Sequence, residues 1–279
     1  MYDTIATDLG MGHPLLDGLG AVTPLLDSCT ALNTARTLAL CGSEEADERA
    51  RRLGMGTILV TEATGQDEIR RQMSWYDDPI PADVSLVLFD LGGVVVKDIM
   101  MLGSIARRFG LDRTEFFTDY RHYEFPLMEG FISEEAYWKR TAAHFGIAVD
   151  DNPFKTEFRP RLNDEMVRLI EALRRSGMRV VCASNTIDSH WNTLKDMGVL
   201  DLFDATYASH ILGVAKPKHR FHRLILDEEG VDVSRAYFVD DSEENVLAAR
   251  RMGLSTLLYS NCPRVTASER LASAFSLWM

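Results

Sequence analysis

The sequence predicts an α/β protein with a doubly wound parallel sheet as its core, and two observations support this fold class. From Leu86 onwards, short apolar runs of strand length alternate with amphipathic helical segments. Strands that alternate with helices form parallel sheets that are covered on both faces. Polar residues end or directly follow several of these runs, at the carboxyl ends where open α/β sheets bind their ligands.

Five short runs of branched and aromatic residues are predicted as the strands of this core. They are Leu86–Asp90, Met178–Ser184, Ala205–Tyr207, Arg235–Asp240 and Ser255–Tyr259. The segment Asp164–Arg175 has apolar residues at helical spacing and is followed by Gly177, a stop signal, so we expect a helix with one buried face. The core is expected to consist of residues 84–97 and 163–279.

Residues 98–162 interrupt this alternation and are predicted to form a helical cap beside the core. They contain no convincing strand, but Asp112 with Glu115 has the spacing of a capping box, and Ser133 precedes the helical segment EEAYWKR. A cap can present residues to a substrate, and Tyr120–Tyr123 (YRHY) are candidates. A polar helix end with aromatic core residues explains these four residues equally well.

Residues 1–78 are expected to form an N-terminal α/β extension, which the proline-containing linker Asp77–Asp83 separates from the core. Without gaps, Cys41–Val60 and Asp240–Tyr259 are identical at nine of twenty positions. Two interpretations stay open: chance similarity between two strand–helix–strand segments, or a degenerate half-copy of the core. Cys41 and Gly42 stand where the second segment has two acids, so the extension is expected to be catalytically silent. Packing or self-association would then be its role.

Composition and charge exclude several classes of function. The 279-residue chain has a net charge of −12, whereas a general nucleic-acid or anionic-membrane binder needs a basic face. The N-terminus lacks a signal-peptide pattern, and no uncharged apolar stretch reaches the about 18 residues that span a bilayer. The four cysteines form no CxxC pair, which disfavours zinc and is typical of a reduced cytoplasmic protein.

Four polar points lie where predicted strands end, and together they predict a chemical site. Asp90 ends the first core strand, Ser184-Asn185 the second and Asp240-Asp241 the fourth, while Lys216-Pro217 follows the third. Each point alone has a structural explanation, as a helix cap or an ordinary loop. Together, three acids can hold Mg²⁺, which prefers oxygen ligands. Lys216, a serine hydroxyl and turn N–H groups can bind a phosphoryl group, and a carboxylate held between them can attack phosphorus.

As an ordered set, FDLGGVVV, ASNT, GVAKPKHRFH and FVDDSEENVLAARRMG resemble the four motifs of the haloacid dehalogenase (HAD) superfamily. The resemblance extends from about Ser85 to Tyr259, and the helical insertion resembles a cap of the C1 type. Within the superfamily, the chain is most similar to the sugar-phosphate-phosphatase-like branch, which includes the N-terminal domain of soluble epoxide hydrolases. The resemblance implies a Mg²⁺-dependent phosphatase that hydrolyses a small phosphomonoester, with sugar phosphates as candidates, through an aspartyl-phosphate.

The resemblance also implies a role for each matching residue. Asp90 would be the nucleophile and a metal ligand, together with the backbone carbonyl of Gly92 and the carboxylate of Asp241. Asp240 would act on the metal through water, and Lys216 would orient the nucleophile and neutralise charge. The phosphate would be bound by the Ser184 hydroxyl, the Asn185 amide and the turn at Gly93.

Two features depart from the pattern of the superfamily. Most of its phosphatases carry an aspartate two positions after the nucleophile as general acid and base, and this chain has Gly92 there. The rate is therefore expected to depend steeply on the pKa of the leaving group, unless a cap residue supplies the proton. The second departure is Lys218-His219-Arg220, where an acid commonly follows the Lys-Pro pair; we interpret these as solvent-side charges at a helix start.

Two alternative functions stay open from the sequence alone. Gly92 favours a regulatory or binding protein that keeps the fold with little or no activity. A 2-haloacid dehalogenase, which needs no metal, is disfavoured because Asp240 and Asp241 would repel each other beside the nucleophile without a cation.

Overall fold

The computed structural model describes residues 4–16, 22–25, 37–52, 55–61, 64–66, 80–259 and 275. The N-terminal part contains β1 (Thr4–Thr7), β2 (Val22–Pro24), β3 (Thr37–Cys41), α1 (Glu44–Arg52) and β4 (Gly56–Leu59). After β5 (Leu86–Phe89), the cap region contains β6 (Val96–Lys97), α2 (Leu102–Phe109), α3 (Arg113–Met128), α4 (Glu134–Phe145), α5 (Pro153–Glu157) and β7 (Arg161–Leu162). The core continues with α6 (Asp164–Arg175), β8 (Arg179–Ser184), α7 (Asp188–Asp196), β9 (Ala205–Ala208), α8 (Ser209–Leu212), α9 (His219–Glu229), β10 (Ala236–Asp240), α10 (Glu243–Arg251) and β11 (Ser255–Leu258).

The core sheet has five parallel strands in the order β11-β10-β5-β8-β9. Alternate residues of β5 point to opposite faces: Val87 and Phe89 lie in one apolar cluster with α6, and Leu86 and Leu88 lie in another with α9. Helices thus cover both faces of the sheet, which confirms the predicted α/β fold class. Each predicted strand is present with ends that differ by one residue or less, and α6 has the predicted bounds.

The cap is built around an aromatic core. Phe116, Tyr137, Trp138 and Phe154 are buried with ring centroids 4.7–6.5 Å apart in the contacting pairs. The side chains of Asp112 and Ser133 cap α3 and α4 by accepting backbone N–H groups, as the sequence predicts. The antiparallel pair β6-β7 at the base of the cap was not predicted, since two residues are too few to show an alternating pattern.

The N-terminal sheet repeats part of the core sheet. Its parallel strands have the order β4-β3-β1-β2, which corresponds to β11-β10-β5-β8. The registers also correspond, because Thr4 pairs with Thr37 and Leu86 pairs with Ala236. The alignment that places Thr4 on Leu86 also places Asp8 on Asp90, and the alignment that places Thr37 on Ala236 also places Cys41 on Asp240. The two sheets thus correspond in strand order and register as well as in part of their sequence.

One face of the N-terminal sheet contributes Ile5, Leu40 and Ile58 to the apolar cluster that also contains Val87 and Phe89 of the core. The extension therefore packs on the core, in line with the structural role expected for it. Parts of the predicted linker and core, residues 77–79, 260–274 and 276–279, lie outside the described residues, as do Cys29 and Cys262. No helix in the described ranges is long and apolar enough to cross a membrane.

Candidate active site

Strand order brings the predicted site residues together. β5 lies between β10 and β8, so that Asp90, Asp240 and Ser184 are neighbours at the carboxyl edge of the sheet. Lys216 reaches the same edge from the loop between α8 and α9, where its Nζ lies 2.8 Å from Asp90 Oδ1 and 2.6 Å from Asp240 Oδ2. All three ion-paired side chains are buried, and the distances identify charge-assisted hydrogen bonds.

Asp90, Asp240 and Asp241 form an acidic cluster in which one carboxylate oxygen of each lies within 4.8 Å of the others. Burial raises the pKa of Asp90 to about 7, against the lowering effect of Lys216 and with a contribution from the two other acids. Burial also opposes the charge on Lys216, but Asp240 and Asp90 outweigh it and raise the pKa of this lysine. Lys216 lies between Asp90 and Asp240, and the carboxylate of Asp241 lies beside this pair, so the cluster gathers oxygen ligands of the kind that a divalent cation prefers.

The two aspartates after β10 have different surroundings. Asp240 Oδ1 accepts the Ser242 N–H at 2.7 Å, and the Asn245 side chain donates to both Asp240 oxygens at 3.1 and 3.2 Å. Because Lys216 occupies the remaining position, all four acceptor sites of Asp240 are used. Asp240 therefore holds the loop and Lys216 in place, and Asp90 and Asp241 are the better direct ligands for a metal. Sequence reasoning missed Asn245, which lies in the first turn of α10.

Gly92 and Gly93, which follow Asp90 and Leu91, have different roles in the turn after β5. Gly93 has φ +76°, and a Cβ there would lie 1.9 Å from Asp241 Oδ2, so only glycine lets this carboxylate approach. The Gly93 N–H donates to the Val96 carbonyl at 2.8 Å. This is a correction to the predicted phosphate-binding role of Gly93, because its N–H is already used by the turn. The hydrogen bonds of the turn leave the Gly92 carbonyl unused, in keeping with its predicted role as a metal ligand.

Asn185 is occupied by the loop that carries Lys216. Its Nδ2 donates to the Lys216 carbonyl at 2.9 Å, and its Oδ1 accepts the Lys216 N–H at 2.8 Å. The side chain of Asn185 thus fixes Lys216, and what Asn185 can offer a phosphate is its backbone N–H. The Ser184 hydroxyl lies beside it, buried at the end of β8.

This geometry agrees with what comparison with known proteins finds. A family model described as haloacid dehalogenase-like hydrolase matches residues 84–253, more than half of the chain. The chain belongs to this family. Among solved structures, a HAD family enzyme from Bacteroides thetaiotaomicron, in complex with magnesium and inorganic phosphate, is 25% identical with a TM-score of 0.55. That similarity covers 62% of this chain and 92% of the other.

Two curated relatives of this HAD-like hydrolase are named as phosphatases or nucleotidases. A sesquiterpene phosphatase of Aspergillus oryzae is 32% identical over 95 residues, which cover 34% of this chain and 48% of the relative. A GMP/IMP nucleotidase of Escherichia coli is 26% identical over 127 residues, which cover 44% of this chain and 57% of the relative. The matches thus span about half the length of these curated relatives.

In this HAD-like hydrolase, the cap is joined to the site by Glu129, which sequence reasoning also missed. Glu129 directly follows α3, is 4% exposed, and accepts both the Ala215 N–H at 2.9 Å and the Lys218 ammonium. The residues Lys218, His219 and Arg220 are exposed at the start of α9 as predicted, but Lys218 also pairs with the cap. Glu129 therefore fixes the loop that carries Lys216.

A cavity of about 220 Å³ lies between the cap and the core and reaches the site at Gly92, Ser184 and Asn185. Of the four cap candidates Tyr120–Tyr123, only Tyr120 lines it. Arg121 and His122 are exposed, and Tyr123 packs against Tyr137 within the cap. The next residue, Glu124, lines the cavity and was not predicted, although it follows Tyr120 by one helical turn.

Proposed function

We propose that this protein is a Mg²⁺-dependent phosphatase that hydrolyses a small phosphomonoester through an aspartyl-phosphate. The observation that carries the proposal is the hydrogen-bonded arrangement of Asp90, Lys216 and Asp240 beside Asp241 and Ser184. A nucleophilic carboxylate held by a buried lysine, next to a cation site and a hydroxyl, is what phosphoryl transfer to a carboxylate requires.

The residues present fit a magnesium ion. Asp90, Asp241 and the Gly92 carbonyl would hold it, and oxygen is the ligand type that Mg²⁺ prefers. The fit rests on the three carboxylates that the acidic cluster brings within 4.8 Å of one another and on the space that Gly93 leaves for Asp241. When bound, the ion supplies positive charge that stabilises phosphate oxygens in the transition state.

Four residues of the site have separate roles in the phosphoryl transfer. An oxygen of Asp90 attacks phosphorus while Lys216 holds that carboxylate in place through Oδ1. The Ser184 hydroxyl and the Asn185 N–H bind phosphate oxygens, and Asn185 keeps the Lys216 backbone fixed at the same time. The step forms a bond between Asp90 and phosphorus and breaks the ester bond, and water then hydrolyses the aspartyl-phosphate.

The cavity favours a substrate with an apolar body over a sugar phosphate. Its lining beyond the phosphate end is mostly apolar, with Leu91, Val96, Ile99, Met128, Phe158 and Leu194 among the members. Hydroxyl groups of a sugar would find few partners there, and buried polar groups without partners are costly. The relative named as a sesquiterpene phosphatase also supports a substrate with an apolar body.

We expect phosphate release from a panel of phosphomonoesters with Mg²⁺ and none after chelation with EDTA. Aryl and terpenoid phosphates should exceed sugar phosphates in kcat/KM, because burial of apolar surface in the cavity contributes about 25 cal/mol per Å². Phosphate release is the readout, and chloride release from 2-chloropropionate without Mg²⁺ is the parallel assay for a dehalogenase. A panel with no turnover at all would favour the regulatory alternative instead.

Asp241→Ala should weaken Mg²⁺ binding by at least about tenfold, because loss of a direct ligand costs at least as much as loss of a residue that only orients a ligand. Calorimetric titration of Mg²⁺ into both proteins measures this. Asp227→Asn, which removes an exposed carboxylate on α9, is the matched control and should bind as the wild type does. Equal affinity in Asp241→Ala would remove the metal assignment.

A further inference from the structure

Glu124 of the cap is an acid in the cavity that reaches Gly92, the position without the usual general acid. It comes from α3 and lines this cavity together with Gly92 and Ser184. We propose that Glu124 protonates the leaving oxygen and then accepts a proton from the attacking water; this rests on the proposed phosphatase function. Glu124 would thus be a catalytic residue supplied by the cap.

The surroundings of Glu124 suit a proton donor. Within the described residues its carboxyl group takes part in no hydrogen bond or ion pair, unlike the nearby Glu129 and Glu134, which each accept backbone N–H groups of the core. A half-buried carboxyl that no structural contact uses is available to a ligand in the cavity. Glu129 and Glu134 thus tie the cap to the core, and Glu124 does not.

The other polar side chains of the cavity are less suited to the role. The Nε2 atom of His190 lies 3.2 Å from the Phe154 carbonyl, which can only accept, so Nε2 carries the proton of the neutral ring. Burial lowers the pKa of His190 to about 4, which leaves the ring neutral near pH 7. Burial raises the pKa of Tyr120 far above its ordinary value, so this hydroxyl is a weak acid.

Burial also raises the pKa of Glu124, with an opposing contribution from Arg121 on the same helix. Of the residues that line the cavity, Tyr120 and His190 are the other titratable ones, and neither is charged near pH 7. An apolar substrate body would exclude more water and favour the protonated form further. A carboxyl kept protonated by an apolar pocket is an established way to supply a general acid.

The two steps balance. In the first, an Asp90 oxygen bonds to phosphorus, the ester bond breaks, and the leaving oxygen takes the proton of Glu124 to depart as an alcohol. In the second, water attacks phosphorus, Glu124 takes one proton from that water, and the Asp90 carboxylate is released with inorganic phosphate. Glu124 ends protonated as it began.

The test compares Glu124→Gln with wild type on alkyl phosphates and on nitrophenyl phosphate, at saturating Mg²⁺. General acid help is worth about 10²–10⁴-fold, so kcat for alkyl phosphates should fall by that factor. The leaving group of nitrophenyl phosphate needs no proton. We therefore expect kcat for this substrate to change by less than about threefold. Glu115→Gln, an exposed glutamate on the same helix, is the matched control and should leave both rates unchanged.

A second variant restores an acid from the core side. A Cβ at Gly92 would approach only the terminal methyl of Ile99, at 2.9 Å, so Gly92→Asp with Ile99→Val provides the space. In the Glu124→Gln background, these two substitutions together should raise kcat for alkyl phosphates at least about tenfold, because general acid help is worth about 10²–10⁴-fold. An equal loss on both substrate types in Glu124→Gln, or no loss on either, would overturn the assignment of Glu124. Absence of nitrophenyl phosphate turnover in the wild type would instead overturn the phosphatase function on which it rests.

Discussion

Asp90→Asn is expected to abolish phosphatase turnover, with a fall in kcat of about 10⁴-fold or more, the range seen when a nucleophile is removed. The amide has nearly the same shape as the carboxylate, and its oxygen can still accept the Lys216 hydrogen bond that Asp90 Oδ1 accepts at 2.8 Å. The amide nitrogen cannot attack phosphorus in the same way. The loss should therefore arise from chemistry and not from unfolding.

Rapid acid quenching of enzyme mixed with substrate gives a direct measurement of the intermediate. Wild-type protein should carry one covalent phosphoryl group by mass spectrometry, on the peptide that contains Asp90, and Asp90→Asn should carry none. Asp227→Asn, an exposed substitution of the same type, is expected to turn over as the wild type does. Retention of more than about a hundredth of wild-type kcat in Asp90→Asn would assign the nucleophile to another group.

Lys216→Met should lower the free energy of unfolding by about 3–5 kcal/mol, the usual cost of removing one partner from a buried charge pair. The ammonium group is the shared partner of Asp90 and Asp240 and is itself buried. Methionine fills much of the same volume beside Phe238, so the loss reports on charge more than on packing. Two buried carboxylates would then face each other without this cation.

Urea unfolding in the presence of EDTA, followed by circular dichroism, measures the change. Lys195→Met removes an exposed lysine on α7 and is expected to stay within about 0.5 kcal/mol of wild type. Added Mg²⁺ should recover part of the loss in Lys216→Met, because a ligand that binds only the folded state stabilises it. A loss equal to that of Lys195→Met would mean that the buried lysine does not neutralise the acidic cluster.

Much of the fold could be predicted because its signals are local. The helix α6 has the predicted bounds, since a periodic apolar face within twelve residues is unambiguous. The segments after β3 and β10 were predicted to share one pattern, and α1 and α10 do begin and end at equivalent positions. The two-residue strands β6 and β7 escaped prediction because their pairing joins residues 65 or so positions apart and has no local pattern.

The positions of Asp90, Lys216 and the Asp240-Asp241 pair could be named from the sequence, because strand ends in a parallel sheet converge by topology. The hydrogen-bond partners of these residues could not be predicted from the sequence. Asn185 was expected at the phosphate, but its side chain holds the Lys216 backbone, and Gly93 serves the approach of Asp241 instead of binding phosphate. Each of these assignments depends on where one short polar group points.

The sequence by itself determined the fold class of the core, the order of the candidate site residues along the chain and the absence of an acid at Gly92. These features could be predicted because strand and helix periodicity and motif identity are properties of neighbouring residues. Only the tertiary structure decided which cap residues meet the core. Glu124 and Glu129 lie five positions apart on or directly after one helix, yet one lines the cavity and the other binds the loop of Lys216. That division follows from how the cap packs on the sheet, and packing between segments distant in sequence leaves no periodic signal within either of them.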